Sequence, residues 1–167
     1  MLIMLTVTSV AGNIFVDMRL AEKYRRVRAA GTCERLLVSR MEMERLRLRR
    51  RTDRDTDIGL VLESGKRLHH GDVLAVENFI VVEQLPEKVL SISISKNDFE
   101  NMVGLAALVG HTIGNRHRPI AVDHDTISFP IQAESELDTF RKLLPAGVKL
   151  KLKEEVFLPA GEVHTHE

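Results

Sequence analysis

The second half of the chain, from Pro86 onward, has an order of apolar patterns that few folds can satisfy. Stretches in which apolar and polar residues alternate predict strands, and longer stretches with apolar residues at helical spacing predict helices. In chain order the pattern predicts a strand at residues 90–94, a helix at 99–113, strands at 120–122 and 127–131, a helix at 137–144 and a strand at 148–152. This βαββαβ order is the split ferredoxin-like motif.

Polar residues and glycines mark the ends of these elements. Asn97, with Glu100 three residues later, is typical of a helix start, and Gly114-Asn115 is typical of a helix end. Lysines alternate with apolar residues in the last strand, and we expect these lysines to face solvent or to protect an edge of the sheet.

Residues 1–85 show a different pattern, with short apolar stretches separated by turn-forming residues. Residues 41–44 and 46–49 alternate like half-buried strands, and the change of phase between them predicts a β-bulge. Further strands are predicted at residues 36–38, 58–62, 73–76 and 79–82. The sequence therefore predicts an α+β protein. A small all-β domain (1–85) precedes a ferredoxin-like domain (86–158) and a flexible tail (159–167).

The composition excludes several classes of protein. With 44% apolar residues and no apolar run near the roughly 20 residues that cross a bilayer, neither a disordered chain nor a membrane protein is expected. The run from Met1 to Leu5 is too short for a signal-peptide core and lacks a basic leader, so it predicts a strand. A single cysteine, Cys33, excludes an internal disulfide framework, and we expect a reducing, cytoplasmic location.

Arginine is concentrated in one segment of the first half. Seven of the fifteen residues at 40–54 are arginine, although the whole chain has 24 basic and 24 acidic residues. The segment could attract phosphate, nucleic acid or an acidic protein surface. The interleaved acids Glu42, Glu44, Asp53 and Asp55 favour a solvated strand face instead, and no aromatic residue is present there to stack on a base.

The sequence lacks the motifs of common catalytic sites. It contains no Walker-type glycine loop, no GxSxG, no HExxH and no CxxC. Cys33 could serve as a nucleophile beside a histidine, but a lone cysteine is more often a small buried residue. Enzymatic function is therefore not expected.

Histidine is the residue type with the clearest chemistry, because neutral imidazole binds nickel, copper and zinc. The chain has seven histidines: His69, His70, His111, His117, His124, His164 and His166. His69, His70 and His124 are interpreted as turn residues. One histidine cannot form a useful metal site, because zinc takes four donors and nickel commonly more. A two-fold dimer could bring two copies of His117 together, and the tails would add further imidazoles.

The segment at residues 110–120, Gly-His-Thr-Ile-Gly-Asn-Arg-His-Arg-Pro-Ile, contains Gly114-Asn115-Arg116-His117. It resembles the Gly-Asn-Arg-His signature of the urease accessory protein E family, the nickel metallochaperones that deliver metal to apo-urease. Residues 57–65 and 68–74 are similar to that family's peptide-binding β-domain, and the βαββαβ half is similar to its metal-binding domain.

The resemblance implies a homodimer that is joined through the ferredoxin-like domains and holds one nickel ion between the two copies of His117. His164 and His166 correspond loosely to the C-terminal histidines that supply further ligands in the family. The implied partners are the urease apoprotein and its accessory GTPase, with no nucleic acid and no membrane. This tail has only two histidines, and residues 129–132 lack the histidines of some relatives, so single-ion transfer is expected rather than storage.

Other interpretations remain open. The β-rich first half also fits a peptide-binding co-chaperone whose histidines are incidental. The βαββαβ order is shared with RNA-recognition modules, but strands 90–94 and 148–152 contain no aromatic residue for base stacking. Zinc or copper could also occupy a site built from nitrogen donors, because their affinity order does not encode which metal the cell supplies.

Overall fold

The computed structural model describes residues 4–94 and 101–160 and shows two compact units, Met1–Leu85 and Pro86–Glu167. The division lies between Leu85 and Pro86, where the sequence pattern changes. Helices and antiparallel strands occur in both units, so the α+β class is confirmed.

The first unit contains a three-stranded and a four-stranded sheet among its described residues. The strands are β1 (Leu5–Val7), β2 (Gly12–Asn13), β3 (Glu34–Val38), β4 (Arg47–Arg51), β5 (Asp57–Val61), β6 (Asp72–Ala75) and β7 (Ile80–Gln84), with helices α1 (Met18–Ala29) and α2 (Arg40–Met43). The sheet orders are β1-β5-β4 and β2-β6-β7-β3. Pairing is parallel between β1 and β5 and between β3 and β7, and antiparallel elsewhere.

The four-stranded sheet is covered on both faces, as strand β7 shows. Ile80 and Val82 belong to a core shared with the three-stranded sheet, whereas Val81 packs in a separate cluster under α1. Because both faces of β7 are buried at residues 80–82, these three residues form a continuous apolar run rather than an alternating one.

Helix α1 corrects the prediction that the first domain is all-β. Asp17 caps the helix, since its carboxylate accepts hydrogen bonds from the backbone N–H groups of Arg19 at 2.8 Å and Leu20 at 3.4 Å. Leu20, Tyr24 and Val27 lie at helical spacing and pack against the cluster that contains Phe79. These apolar positions are surrounded by basic residues, which hide the helical period in the sequence. The first unit is therefore mainly β rather than all-β.

Residues 40–43 correct a second prediction, because they form helix α2 instead of a strand. Ser39 and Glu42 form a capping box, in which the Ser39 hydroxyl accepts from the N–H of Glu42 and the Glu42 carboxylate accepts from the N–H of Ser39 at 2.9 Å. The change of phase between Met43 and Leu46 marks the end of this helix and not a β-bulge. Strand β4 begins at Arg47.

The second unit confirms the βαββαβ order. Its elements are β8 (Glu87–Ile94), α3 (Met102–Gly114), β9 (Ala121–Asp123), β10 (Thr126–Pro130), α4 (Glu136–Leu143) and β11 (Val148–Glu155). The sheet order is β11-β8-β10-β9 with antiparallel pairing throughout, so β11 lies at an edge, which is one of the two positions expected from its lysines. The predicted helix-start residues Asn97 and Glu100, like Phe99, lie outside the described residues.

The helices of this unit pack on one face of the sheet. Leu90 and Ile92 of β8 join Val109 and Ile113 of α3 in a buried core. The core also contains Phe129 and Phe140, whose rings lie 4.5 Å apart at 58°. Such tilted aromatic pairs contribute about 0.5–1.5 kcal/mol beyond their buried area. This packing fixes the C-terminal end of α3 against α4, where the candidate site lies.

Candidate metal-binding site

His117 lies in a tight turn directly after α3. The backbone N–H of Asn115 donates to the carbonyl oxygen of His111 at 2.9 Å, and the N–H of His117 donates to that of Gly114 at 2.9 Å. His117 has a φ of 52°, in the left-handed region that ends many helices. The residue is exposed.

The three residues around His117 are each held by a side-chain contact within the second unit. The amide nitrogen of Asn115 lies 2.9 Å from Nε2 of His111. The guanidinium of Arg116 lies over the ring of Phe140, 5.5 Å from its centroid. The remaining neighbour, Arg118, forms the strongest of the three contacts.

Arg118 joins the turn to the start of α4 through a half-buried ion pair. Its Nη2 lies 2.6 Å from the carboxylate of Glu136. The other carboxylate oxygen of Glu136 accepts from the backbone N–H groups of Gln132 at 2.6 Å and Ala133 at 3.2 Å. The backbone on both sides of His117 is therefore fixed, while His117 itself remains exposed.

The imidazole of His117 has no hydrogen-bond or ion-pair partner within residues 4–94 and 101–160. His124, in the β9–β10 turn, provides a contrast in the same unit. It has almost the same left-handed φ, 51°, but its Nδ1 lies 2.6 Å from the carboxylate of Asp123. This hydrogen bond raises the pKa of His124. Both ring nitrogens of His117 are therefore unengaged among the described residues, whereas Nδ1 of His124 is engaged by a carboxylate.

The C-terminal histidines His164 and His166 lie outside the described residues. The chain that leads to them is anchored beside the His117 turn, because the N–H of Ala160 donates to the carbonyl oxygen of Ile120 at 2.6 Å. Ile120 is three positions after His117, and His164 is four positions after Ala160 along the chain.

No group of three His, Cys, Asp or Glu side chains within the described parts of the chain is arranged to hold a metal ion. His111 is close in sequence to His117, but its ring is engaged with Asn115. A site at His117 therefore needs donors from the tail or from a second protein molecule.

The outer face of α3 carries exposed apolar residues in the first half of the helix. Val103 is 82% exposed and Leu108 is 55% exposed, and the exposed Gly104 and Ala107 lie between them on the same side of the helix. His111 continues the stripe at helical spacing toward His117. Exposed apolar residues that lie together on one side of a helix are available to pack against a partner protein.

The histidines of the first unit have structural contacts. The ring of His70 accepts from the backbone N–H of Gln84 at 3.1 Å and packs 5.4 Å from the ring of Phe15. The N–H of His69 donates to the buried carboxylate of Asp72 at 2.7 Å, which holds the turn that precedes β6. These contacts agree with the interpretation of both histidines as turn residues.

Three arginines of the segment at residues 40–54, Arg49, Arg50 and Arg51 of β4, pair with carboxylates of the same unit. Arg49 forms a bidentate pair with Asp57, with distances of 3.1 and 2.6 Å. Arg50 pairs with Glu42, and Arg51 lies 3.8 Å from Asp55.

The carboxylate pKa values agree with this pairing. The hydrogen bond from Arg49 holds the pKa of Asp57 below its ordinary value. Burial acts to raise the pKa values of Glu42 and Asp53. Hydrogen bonds from Ser39 and Arg50 outweigh it and lower the pKa of Glu42, and hydrogen bonds from Arg35 do the same for Asp53. Cys33 is half-buried and burial raises the pKa of its thiol, which does not suit a nucleophile.

Two sets of structurally important residues were not predicted from the sequence. The Arg118–Glu136 pair joins residues 18 positions apart in the chain, and only the fold brings them together. The basic residues of α1 were overlooked because the helix was not predicted, although Asp17 before a stretch with apolar residues at positions 20, 24 and 27 was an available signal.

Comparison with known proteins gives a consistent result. The family model described as "UreE urease accessory protein, N-terminal domain" matches residues 19–84. A protein of Natronomonas pharaonis named "Urease accessory protein UreE" is 29% identical over 173 residues, covering 96% of this chain and 80% of the relative. "Urease accessory protein UreE 1" of Pseudomonas syringae pv. tomato is 31% identical over 132 residues, covering 77% of this chain and 85% of the relative. In the part of the chain that the structure describes, no helix is long and apolar enough to span a membrane.

Proposed function

This chain belongs to the urease accessory protein UreE family, and from that premise we propose that it is a metallochaperone that delivers nickel to apo-urease. Members of this family are accessory proteins of urease maturation rather than enzymes. In this proposal nickel is the cargo. His117 holds the ion in a homodimer, and His164 and His166 supply further donors.

The observation that carries this proposal is the state of His117. Its neighbours are fixed by contacts with His111, Phe140 and Glu136, while its own imidazole is exposed and unpartnered among the described residues. A fixed backbone reduces the entropy lost on binding, and a free imidazole needs no internal hydrogen bond to be broken first. The turn is therefore suited to presenting one nitrogen donor to an ion.

A second copy of the chain would complete the site. The apolar stripe of Val103, Gly104, Ala107 and Leu108 lies on α3, the helix whose C-terminal end leads into the His117 turn. Two-fold packing on this stripe would bury its apolar surface and place two copies of His117 near the symmetry axis. The exposed glycine and alanine would allow close approach of the two helices.

The tail would add donors from a short distance. A chain of n residues spans at most about 3.3–3.6 Å per residue, so His164 could reach about 14 Å from Ala160. Because Ala160 is hydrogen-bonded to Ile120, this reach includes the His117 turn. Donors on a flexible segment, which the sequence predicts for residues 159–167, can bind the ion and leave it without disturbing the folded core.

Transfer then proceeds by ligand exchange. A site with few ligands at an exposed surface captures nickel and releases it when the recipient offers more donors. We propose that the recipients are the urease apoprotein and its accessory GTPase in the cytoplasm. Zinc and copper should also bind in vitro, because imidazole does not discriminate strongly among these metals. Nickel affinity should fall as the pH is lowered, because a protonated imidazole cannot be a ligand.

Calorimetric titration with nickel, together with mass measurement in solution, tests the proposal. The intact protein should be a dimer that binds about one nickel ion per dimer. His117→Ala should abolish this binding, and a chain ending at Glu162 should bind more weakly. His124→Ala is the matched control, since it removes an exposed histidine with the same backbone conformation and should leave binding unchanged.

Leu108→Asp tests the dimer separately. Leu108 is 55% exposed, so the substitution should not disturb the core of the second unit. We expect a monomer that has lost tight nickel binding.

Unchanged nickel binding by His117→Ala would show that the site is elsewhere.

A further inference from the structure

Helix α1 presents positive charges that the described carboxylates of the chain do not balance. Its twelve residues include five basic residues, Arg19, Lys23, Arg25, Arg26 and Arg28, and one acidic residue, Glu22. Arg25, Arg26 and Arg28 make no ion pair with a carboxylate in residues 4–94 and 101–160. Glu22 makes none either. The helix therefore retains most of its positive charge at the surface.

The other cations of α1 already have roles in the fold. Lys23 donates to the carbonyl oxygen of Val76 at 2.7 Å and lies over the ring of Phe79. Arg19 lies 3.7 Å from the capping carboxylate of Asp17. Arg25 reaches only a backbone carbonyl of its own helix, at 3.4 Å. The arginines without carboxylate partners are therefore concentrated in the second half of the helix.

Large apolar residues are exposed at the start of the same helix. Phe15 is 62% exposed and Met18 is 80% exposed. The ring of Phe15 rests against Gly71, where an added Cβ would lie 2.5 Å from the ring, and it packs on His70. Phe15 is thus held in place although most of its surface faces solvent.

A small cleft lies between Phe15 and α1. It has a volume of about 210 Å³ and is lined by Phe15, Tyr24, Arg28, His70, Val82 and Glu83, among others. The carboxylate of Glu83 is paired with Arg35 at 3.4 Å. Arg28 is fixed at its wall, because its Nη1 donates to the hydroxyl of Tyr24 at 3.0 Å and its guanidinium lies over the Tyr24 ring. Small-molecule sites usually measure about 300–1,000 Å³, so this cleft suits a single apolar side chain.

The cleft and the unpaired cations are adjacent. Met18, Ala21, Arg25 and Arg28 follow one another at intervals of three or four residues, which places them along one side of α1. Arg28 belongs both to this stripe and to the wall of the cleft. An apolar anchor point is therefore bordered by positive charge, as in interfaces that bind acidic segments.

We propose that this α1 surface, formed by Phe15, Met18, Tyr24, Arg25 and Arg28, binds an acidic segment of a partner protein. The segment inserts one bulky apolar side chain into the cleft, and its carboxylates face Arg25 and Arg28. A nucleic acid would use the arginines through its phosphates but would leave the exposed Met18 without a role. The inference concerns the first unit and does not depend on nickel.

A fluorescence anisotropy titration in metal-free buffer tests the proposal, with the labelled peptide Glu-Glu-Phe-Glu-Glu as the probe. We expect saturable binding that weakens as salt is added, because the charges at this surface are exposed. Arg25→Gln combined with Arg28→Gln should weaken binding about tenfold, from the loss of two charge contacts. Glutamine is as good a helix former as arginine, so α1 should remain folded.

Arg47→Gln is the matched control. Arg47 is an exposed arginine of β4 that has no carboxylate partner among the described residues, and its replacement should leave the affinity unchanged. A peptide with alanine in place of phenylalanine tests the cleft without altering the protein, and it should bind more weakly. The proposal is overturned if the peptide does not bind, or if the double variant binds it as well as the parent. Tighter binding of a single-stranded RNA of equal charge would also overturn it.

Discussion

Two arginine-rich segments of the first unit, α1 and β4, hold their positive charges in opposite ways. In β4, Arg49 and Arg50 pair with Asp57 and Glu42, whose side chains are largely buried. In α1, Arg25 and Arg26 have no carboxylate partner among the described residues. The density of arginine in a sequence therefore does not measure the charge that a partner encounters, because pairing within the fold decides it.

The difference follows from the neighbours that each type of element provides. Strand β4 runs antiparallel to β5, and this register places Asp57 opposite Arg51 and within reach of Arg49. The residues at i+3 and i+4 from the arginines of α1 are mostly basic or apolar. The helix is therefore attached by its apolar side, whereas β4 is attached by ladder hydrogen bonds and ion pairs.

The largest effect should come from removing the apolar attachment of α1. Phe79 is 1% exposed and stacks on Tyr24, with 6.2 Å between the ring centroids. Phe79→Ala should lower the free energy of unfolding of the first unit by about 3–5 kcal/mol. Urea unfolding followed by far-ultraviolet circular dichroism measures this change, and we expect helical signal to be lost first. Loss of less than about 1 kcal/mol would show that α1 is held by other contacts.

The next effect should come from the ion pairs of β4. Asp57→Asn removes the carboxylate that receives both hydrogen bonds from Arg49. We expect the melting temperature of the first unit to fall by several degrees, because a partly buried pair is broken on one side only. Glu22→Gln in α1 is the control, and it should leave the melting temperature unchanged. Equal falls in melting temperature for the two substitutions would show that the paired charges of β4 stabilise the first unit no more than the charges of α1 do.

The same distinction predicts a dependence of stability on pH. The pKa values of Asp57, Asp53 and Glu42 are lowered in the folded protein from ordinary values of 3.8 for Asp and 4.5 for Glu. Their contribution is therefore fully present above the ordinary values and is lost as the pH falls through the lowered ones. The free energy of unfolding should decrease from about pH 5 to about pH 3. Asp57→Asn should make this decrease shallower, and an unchanged slope would contradict the assignment.

The outcome for the fold shows which physical signals a sequence contains. The strands of the second unit were predicted because apolar residues that join one core, such as Leu90 and Ile92, recur at every second position along them. Helix α1 was missed because its three apolar anchors are outnumbered by arginines. Residues 41–44 were assigned to a strand because four residues are too few to distinguish the period of a strand from that of a helix. The capping pair of Ser39 and Glu42 is the feature that identifies the helix.

The outcome for the candidate site is similar. His117 was found through its motif and its position after a helix, which are local features of the sequence. The contacts that fix its turn were not predictable, because Arg118 and Glu136 meet only when α4 packs beside α3. The hydrogen bond of Ala160 to Ile120 joins two backbone groups, and backbone groups leave no signature in the sequence.

The smallest effect should come from neutralising the unpaired arginines. Arg26→Gln removes an exposed charge that has no described carboxylate partner, and lowers the repulsion among the neighbouring cations of α1. It also removes a favourable interaction with the helix C-terminus, so we expect a net change within about 0.5 kcal/mol. Arg50→Gln changes the same residue type in β4 but leaves Glu42, whose side chain is 14% exposed, without its cation. Urea unfolding of both variants should therefore show a clear loss for Arg50→Gln and none for Arg26→Gln. Because both substitutions remove one positive charge, the difference between them measures the pairing in β4 and not the net charge of the unit.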